Sequence, residues 1–377
     1  MARSRLYVHI GLQKTGTSYL QSIFWLNQDE LRRQGLDMVP GSKRDTFNLM
    51  LRVRDRFRPE FDPPAVAEAL DRLPGALAAA TGSRALISEE SLAPATDPQI
   101  RALLGACTDR EVHLVVTLRD LGRQIPSAWQ QLLQSGGSIT YDAYLRRLRR
   151  GEGKPDGAYW NNKDVRAILA AWSAHVPAER IHVVTVPPSG SAPELLLRRF
   201  CSVLEVDADH LDQQVARSNE SIGRVQAEVL RRVNSLLPQE FRRRDVYGDI
   251  GKRFFAVRVL GIQGGRKTVV PQEYEEWVRA VSQKFVDAIV AGGYDVVGDL
   301  EDLRPLPSAF SADEVAPDEA EVSEAATQAL ATMLGNEMTK LRKRRARNRN
   351  VSKPRALARR LADRLRGVNE AEREVVG

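Results

Sequence analysis

The segment Gly11-Leu12-Gln13-Lys14-Thr15-Gly16-Thr17-Ser18 puts two glycines, a lysine and three hydroxyls within eight residues. It stands between an apolar run, Leu6–Ile10, and a helix-forming stretch. At such a strand-to-helix turn, successive backbone N–H groups form a nest that points at an anion, and the helix N-terminus adds partial positive charge. Gly16 lets the backbone approach closely. Lys14 adds a mobile charge, and Thr15, Thr17 and Ser18 add hydroxyl donors. The Walker A pattern G-x-x-x-x-G-K-[ST] is met at Gly11, Gly16 and Ser18, but Thr17 stands where the lysine belongs. A magnesium-dependent nucleoside triphosphatase or kinase thereby loses its main phosphate-binding side chain. The plainer alternative is a Gly/Thr-rich turn with no ligand.

The elements that must position this loop alternate along the chain. Short apolar runs alternate with helical patterns over the first 300 residues, which predicts βαβ units and a parallel sheet. Strands are expected at Leu6–Ile10, Ala85–Ser88, Val112–Leu118, Ile181–Val186 and Tyr294–Val297. Helices are expected at Thr17–Gln34, from Asp120 through Leu133, and at Lys163–His175, Glu194–Leu204, Ser221–Leu237 and Glu273–Val290. Gly251 to Gly265 shows no clear period. The expected fold class is α/β, a central parallel sheet flanked by helices, followed by a helical C-terminal extension.

The stretch His9-Ile10-Gly11-Leu12-Gln13-Lys14-Thr15-Gly16-Thr17-Ser18-Tyr19-Leu20-Gln21 resembles the 5′-phosphosulfate loop of sulfotransferases, especially the prokaryotic type. These enzymes use 3′-phosphoadenosine 5′-phosphosulfate (PAPS) as sulfuryl donor. The resemblance implies a P-loop-like sulfotransferase fold. It implies that Lys14 contacts the phosphosulfate and its leaving oxygen, while Gly16, Thr17 and Ser18 hold the 5′-phosphate. The family's second signature is an arginine at a strand end and a serine eight residues on, both on the donor's 3′-phosphate. Here Val112–Leu118 runs into Arg119-Asp120, and Ser127 follows at that spacing. An arginine at the strand end and a serine on the next helix can converge on one phosphate, the arginine in bidentate fashion. The ordinary alternatives are a surface Arg119 paired with Asp120, and a helix-surface Ser127. Arg123 reads as a solvated helix residue. A weaker likeness covers most of residues 5–305, including Tyr159 to Trp172 and Arg217-Ser218-Asn219-Glu220-Ser221. The resemblance implies that Arg217 and Asn219 close over the 3′-phosphate or adenine; the alternative is an N-cap for the helix near Ser221.

Sulfuryl transfer to a hydroxyl needs in-line attack, a base for the acceptor proton and cations at the leaving phosphate. Ligands of open parallel sheets lie beyond the carboxyl ends of the strands. Ala85–Ser88 ends in Ser88-Glu89-Glu90-Ser91, so Glu89 and Glu90 are the candidate bases, with Glu89 preferred. Their alternative is an acidic first turn capped by Ser88 or Ser91. His9 is expected to be a packed strand residue. Tyr159, Trp160, Asn161 and Asn162 line an acceptor pocket or pack a loop. Gly264-Gly265-Arg266-Lys267 is a surface turn or a second anion loop. The acceptor class expected is a glycan, lipid or small metabolite, with no metal. A non-catalytic interaction protein on the same fold is the remaining alternative.

Composition bounds the rest. The chain has 377 residues, with 42% hydrophobic and 28% charged, enough for a sizeable core. Cys107 and Cys201 exclude a disulfide framework and a cysteine zinc site. No apolar run of eighteen residues and no signal-peptide core occur, so a cytoplasmic protein is expected. Thirteen Lys or Arg and one acid fall between Lys340 and Arg366, so this segment exceeds the chain's net charge of +7 and the remainder is acidic. Just upstream, Asp313 to Glu324 holds six acids and no base. The expected division is therefore a body, 1–307, and an extension, 308–377, of acidic linker, amphipathic helix and basic tail. Val322, Ala326, Leu330, Met333, Leu334 and Leu341 mark the stripe of that helix. The tail offers peripheral contact with the inner membrane surface. Sequence-specific nucleic-acid binding is not expected from an acidic body without a reading motif.

Overall fold

A computed structural model describes residues 4–374 except 108, 155, 156, 158, 216–221, 314 and 315, with side chains described through residue 346 except at 244 and 245. The first part of the chain runs β1 (Arg5–His9), α1 (Thr17–Leu26), α2 (Gln28–Arg33), β2 (Leu36–Met38), α3 (Lys43–Val53), α4 (Leu73–Ala79) and β3 (Arg84–Ser88). It continues with α5 (Asp97–Gly105), β4 (Glu111–Leu118), α6 (Leu121–Leu133), α7 (Tyr141–Gly151), α8 (Val165–Ser173) and β5 (Ile181–Thr185). Then follow α9 (Leu195–Val203), α10 (Arg224–Leu236), α11 (Arg244–Tyr247), a π-helix (Gly248–Leu260) and β6 (Val270–Pro271). The last elements are α12 (Glu275–Gly292), β7 (Asp295–Val297), β8 (Phe310–Ser311) and α13 (Glu319–Glu374).

Six strands form one parallel sheet in the order β2-β3-β1-β4-β5-β7. The central strands are buried on both faces, as near-continuous apolar runs such as VHLVVTL require. Alternation splits β1 between two cores. Leu6 and Val8 face the core with α3, α5, α6, α8 and α12, while Tyr7 faces α1, α2 and α9. From β1 the chain runs to the edge strand β2 and returns to β3 beside β1, then crosses to β4 and winds outward through β5 and β7 on the other side. The switch point therefore lies between the carboxyl ends of β1 and β4, where such sheets bind ligands. The α/β expectation and its parallel sheet match this architecture.

Several expected boundaries move. The helix expected over 17–34 is two helices, broken at Asn27. The buried Asn27 amide donates to the Ile23 carbonyl at 2.8 Å and to the Asp212 carbonyl at 2.8 Å, which diverts the chain. The helix expected from Ser221 starts at Arg224, behind Gly223. The chain after Pro305 does not leave the body as a linker. β8 pairs with β6, and Ala309 and Phe310 are buried. The amphipathic helix and the basic tail are one element, the 56-residue α13. Its body-facing side carries Val322, Ala325 and Ala329, whereas Leu330, Leu334 and Leu341 are exposed. The stripe thus meets the body one helical row away from the leucines. Arg232 ties α13 down through Glu319, and Lys340 sits over the Phe254 ring. Among the described residues no helix is long and apolar enough to cross a membrane.

Candidate functional site

The phosphate loop rests on a buried polar floor. His9 Nδ1 lies 2.8 Å from Ser88 Oγ, and His9 Nε2 lies 3.2 Å from Thr117 Oγ1. Thr117 Oγ1 in turn shares a 2.7 Å hydrogen bond with Thr15 Oγ1, which donates to the Leu12 carbonyl at 2.5 Å. These groups link β3, β1, β4 and the loop. Complete burial pushes the His9 imidazole down to about 3, so it stays neutral and acts as a strut. The Thr15 hydroxyl is consumed by this floor.

Gly11 belongs to the same floor. A Cβ there would sit 1.9 Å from Thr117 Oγ1 and 2.5 Å from His9 Nε2. We expect Gly11→Ala to destabilise the protein by about 1–3 kcal/mol, the usual cost of overpacking. Chemical denaturation reads this directly, and an unchanged midpoint would contradict the packing described. Gly16 has φ 85°, and a Cβ would meet Leu196 Cδ2 at 2.5 Å. Lys14 adopts φ 69°, a left-handed conformation unusual for a residue with a Cβ. The two left-handed residues turn the backbone so that α1 begins at Thr17. The first amides of α1 have no intrahelical acceptor, and its end carries the helix's partial positive charge.

Helix α6 holds the loop from the other side. Gln124 Nε2 donates to the Gln13 carbonyl at 3.0 Å, and Arg119 Nη1 donates to the Lys14 carbonyl at 3.1 Å. The half-buried Arg119 does not pair with Asp120. Asp120 caps α6 by accepting from the Arg123 amide at 2.9 Å and pairs with the Arg123 guanidinium. Arg123 is therefore not solvated, and its Nη1 also donates to the Pro187 carbonyl at 2.9 Å. Arg119 Nε is buried with no hydrogen-bond partner among the described residues. Burial, reinforced by the neighbouring Arg123 charge, pushes the Arg119 guanidinium down to about 10. The cation thus pays a desolvation cost that an incoming anion would relieve.

Lys14, Gly16, Thr17, Ser18, Glu90, Arg119 and Ser127 all line one cavity of about 1180 Å³. Of the other sequence-predicted residues, Gly11, Thr15 and Glu89 do not line it, and Arg217 and Asn219 lie outside the described residues. Ser127 Oγ donates to the Arg123 carbonyl at 2.9 Å while bordering the cavity. The wall also carries Gln13, Lys252, Lys267 and Arg279, of which sequence reasoning singled out only Lys267, within its second candidate loop.

The two carboxylates divide. Glu90 lines the cavity and accepts from Gln21 Nε2 at 3.0 Å. Glu89 turns inward and caps its own turn, accepting from the Ser91 amide at 3.1 Å. Burial, then the Glu90 charge, pushes the Glu89 carboxyl up to about 7. Its folded pKa lies above the unfolded value, so it favours folding at acid pH, and that contribution is lost as pH rises through 7. Glu89→Gln keeps the cap acceptor and removes the charge. We expect it to stabilise the protein on the order of 2 kcal/mol above pH 7 and to have no such effect near pH 4. Melting curves at both pH values check the sign.

Comparison of the chain with family models, curated proteins and solved structures returned no match.

Proposed function

We propose that this protein is a sulfotransferase with PAPS as donor and a hydroxyl or amine as acceptor. The observation that supports this most is Arg119. Its guanidinium opens on the same cavity as the phosphate loop, bonds the loop's Lys14 carbonyl, and keeps a buried Nε without a partner. Two cationic sites on one cavity suit a nucleotide bearing anions at both its 5′ and 3′ positions. The glycine-lined loop and the incompletely hydrogen-bonded guanidinium both fit that donor. Thr17 at the Walker lysine position weighs against a nucleoside triphosphate.

In this reading the acceptor oxygen bonds to sulfur as the bond between sulfur and the 5′-phosphate oxygen breaks. The sulfuryl group passes to the acceptor, and 3′-phosphoadenosine 5′-phosphate leaves. Lys14 and the α1 amides stabilise negative charge growing on the leaving oxygen. Glu90 takes the acceptor proton, with Gln21 holding its carboxylate. Arg119 and Ser127 hold the 3′-phosphate. The cavity is larger than the roughly 300–1,000 Å³ of an ordinary ligand pocket, which leaves room for an acceptor beside the donor. Lipid, glycan and small-metabolite acceptors all fit that description. The basic segment Lys340–Arg366 of α13 would bring the enzyme to an anionic membrane surface, and cosedimentation with anionic liposomes, with and without residues 340–377, measures this.

The test is transfer of label from ³⁵S-PAPS to panels of glycans, lipids and metabolites. We expect one panel to be labelled, and Glu90→Gln to lower the rate by about 10²-fold or more. A protein that binds the nucleotide but labels nothing would be a non-catalytic binding protein.

A further inference from the structure

One buried lysine is not used by the scheme above. Lys163 is only 4% exposed, between the end of the 159–163 turn and α8. Its Nζ donates to the Tyr159 carbonyl and to Asn162 Oδ1, each at 2.8 Å. It also lies 5.9 Å from the centre of the Tyr144 ring. Tyr159 has φ 67°, a left-handed conformation that turns its carbonyl to this ammonium. Asn162 Nδ2 then donates at 3.3 Å to Gln13 Oε1, and Gln13 lines the cavity next to Lys14.

The polarity of this chain is dictated from its buried end. An ammonium donates and accepts nothing, so Asn162 must present its oxygen to Lys163. That places the Asn162 NH₂ toward Gln13, which must answer with its carbonyl oxygen. The Gln13 NH₂ is left facing the cavity as a donor. Burial pushes the Lys163 ammonium down to about 7. A neutral amine still has two N–H groups for its two acceptors, so the polarity survives deprotonation.

We infer that Lys163 and Asn162 are positioning residues that fix the Gln13 carboxamide with its N–H groups toward an oxyanion held in the phosphate loop. Without them, the amide can rotate and aim a carbonyl oxygen at that anion. The inference deepens the proposed function, since the oxyanion there is the donor's phosphosulfate. It concerns only the loop, so it can be tested without the nucleotide.

The test is a double-mutant cycle on oxyanion affinity. Asn162→Asp keeps the bond to Lys163 but offers Gln13 only an acceptor, which reverses the Gln13 amide. Gln13→Met removes the amide. Binding of inorganic pyrophosphate and of 3′-phosphoadenosine 5′-phosphate is measured by calorimetry for the wild type, both single variants and the double variant. We expect Gln13→Met to weaken binding by about tenfold and Asn162→Asp by more, because lone pairs then face the anion. In the Gln13→Met background, Asn162→Asp should have no further effect. A merely structural or long-range charge effect of Asn162→Asp would persist in that background, and persistence overturns the inference. Equal affinity of wild type and Asn162→Asp for pyrophosphate overturns it as well. Wild type that binds pyrophosphate but not the nucleotide sinks the donor assignment and leaves the relay standing or falling on the pyrophosphate cycle. Wild type that binds neither overturns both.

Discussion

Replacing Arg119 with alanine should weaken binding of 3′-phosphoadenosine 5′-phosphate by at least about 30-fold while leaving the fold intact. Truncating one partner of a buried, hydrogen-bonded charge pair costs about 2–5 kcal/mol, and every 1.4 kcal/mol is tenfold in affinity. The free protein loses little by comparison. Among the described residues Arg119 makes one hydrogen bond, to the Lys14 carbonyl, and its buried Nε has no partner. Removing it relieves a desolvated cation as well as breaking that bond. Arg119→Lys should recover part of the affinity, because an ammonium supplies charge without the bidentate fork. Titration calorimetry beside thermal melts separates the two effects. Similar losses in binding and in stability would mean that Arg119 serves the fold.

Lys14→Gly is expected to give the reverse separation at the loop, a normal fold without turnover. Lys14 already sits at φ 69°, where glycine carries no Cβ penalty. The relief of roughly 1 kcal/mol is offset by the extra chain entropy of glycine, so stability should change by less than about 1 kcal/mol. In the proposed reaction, however, the side chain supplies positive charge to the leaving oxygen. Removing one such preorganised group costs about 10²–10³ in rate. The measurement is the rate of sulfuryl transfer from PAPS alongside a denaturation curve. Retained turnover in a folded Lys14→Gly protein would remove lysine from the mechanism.

The parallel sheet and the loop were legible because their signals are local. Fully buried strands read as unbroken apolar runs, and the loop's glycines stand where no Cβ fits or where φ is positive. The period of Gly248–Leu260 was not legible, since a π-helix does not repeat every 3.6 residues. β2 escaped notice because three residues are too short to show alternation. The face of α13 was legible only in part, for another reason. Val322, Ala326 and Met333 of the expected stripe do meet the body, but its leucines Leu330, Leu334 and Leu341 are exposed, and the small Ala325 and Ala329 complete the approach to α10 and the π-helix. At the site, residue type could place Glu89 and Glu90 at the carboxyl end of β3. It could not say which faces the cavity, because Glu89 is turned inward by its own bond to the Ser91 amide. Gln13, Gln124 and Lys163 were not singled out, and Asn162 stood out only within a polar-aromatic cluster, since what joins them to the loop is hydrogen bonds to Gln13 across 100 residues or more, from Gln124 and from Asn162.

The central claim is that this cavity binds a 3′-phosphorylated nucleotide through two separate anion sites. Its most direct test compares thermal stabilisation by 3′-phosphoadenosine 5′-phosphate, by adenosine 5′-phosphate and by ATP with magnesium. At one hundred times the dissociation constant, the first should stabilise the protein by roughly 2.7 kcal/mol. The second, lacking the 3′-phosphate, should do far less at the same concentration, and magnesium-ATP should not exceed it. Stabilisation by magnesium-ATP alone would contradict the account and assign the loop to a nucleoside triphosphate.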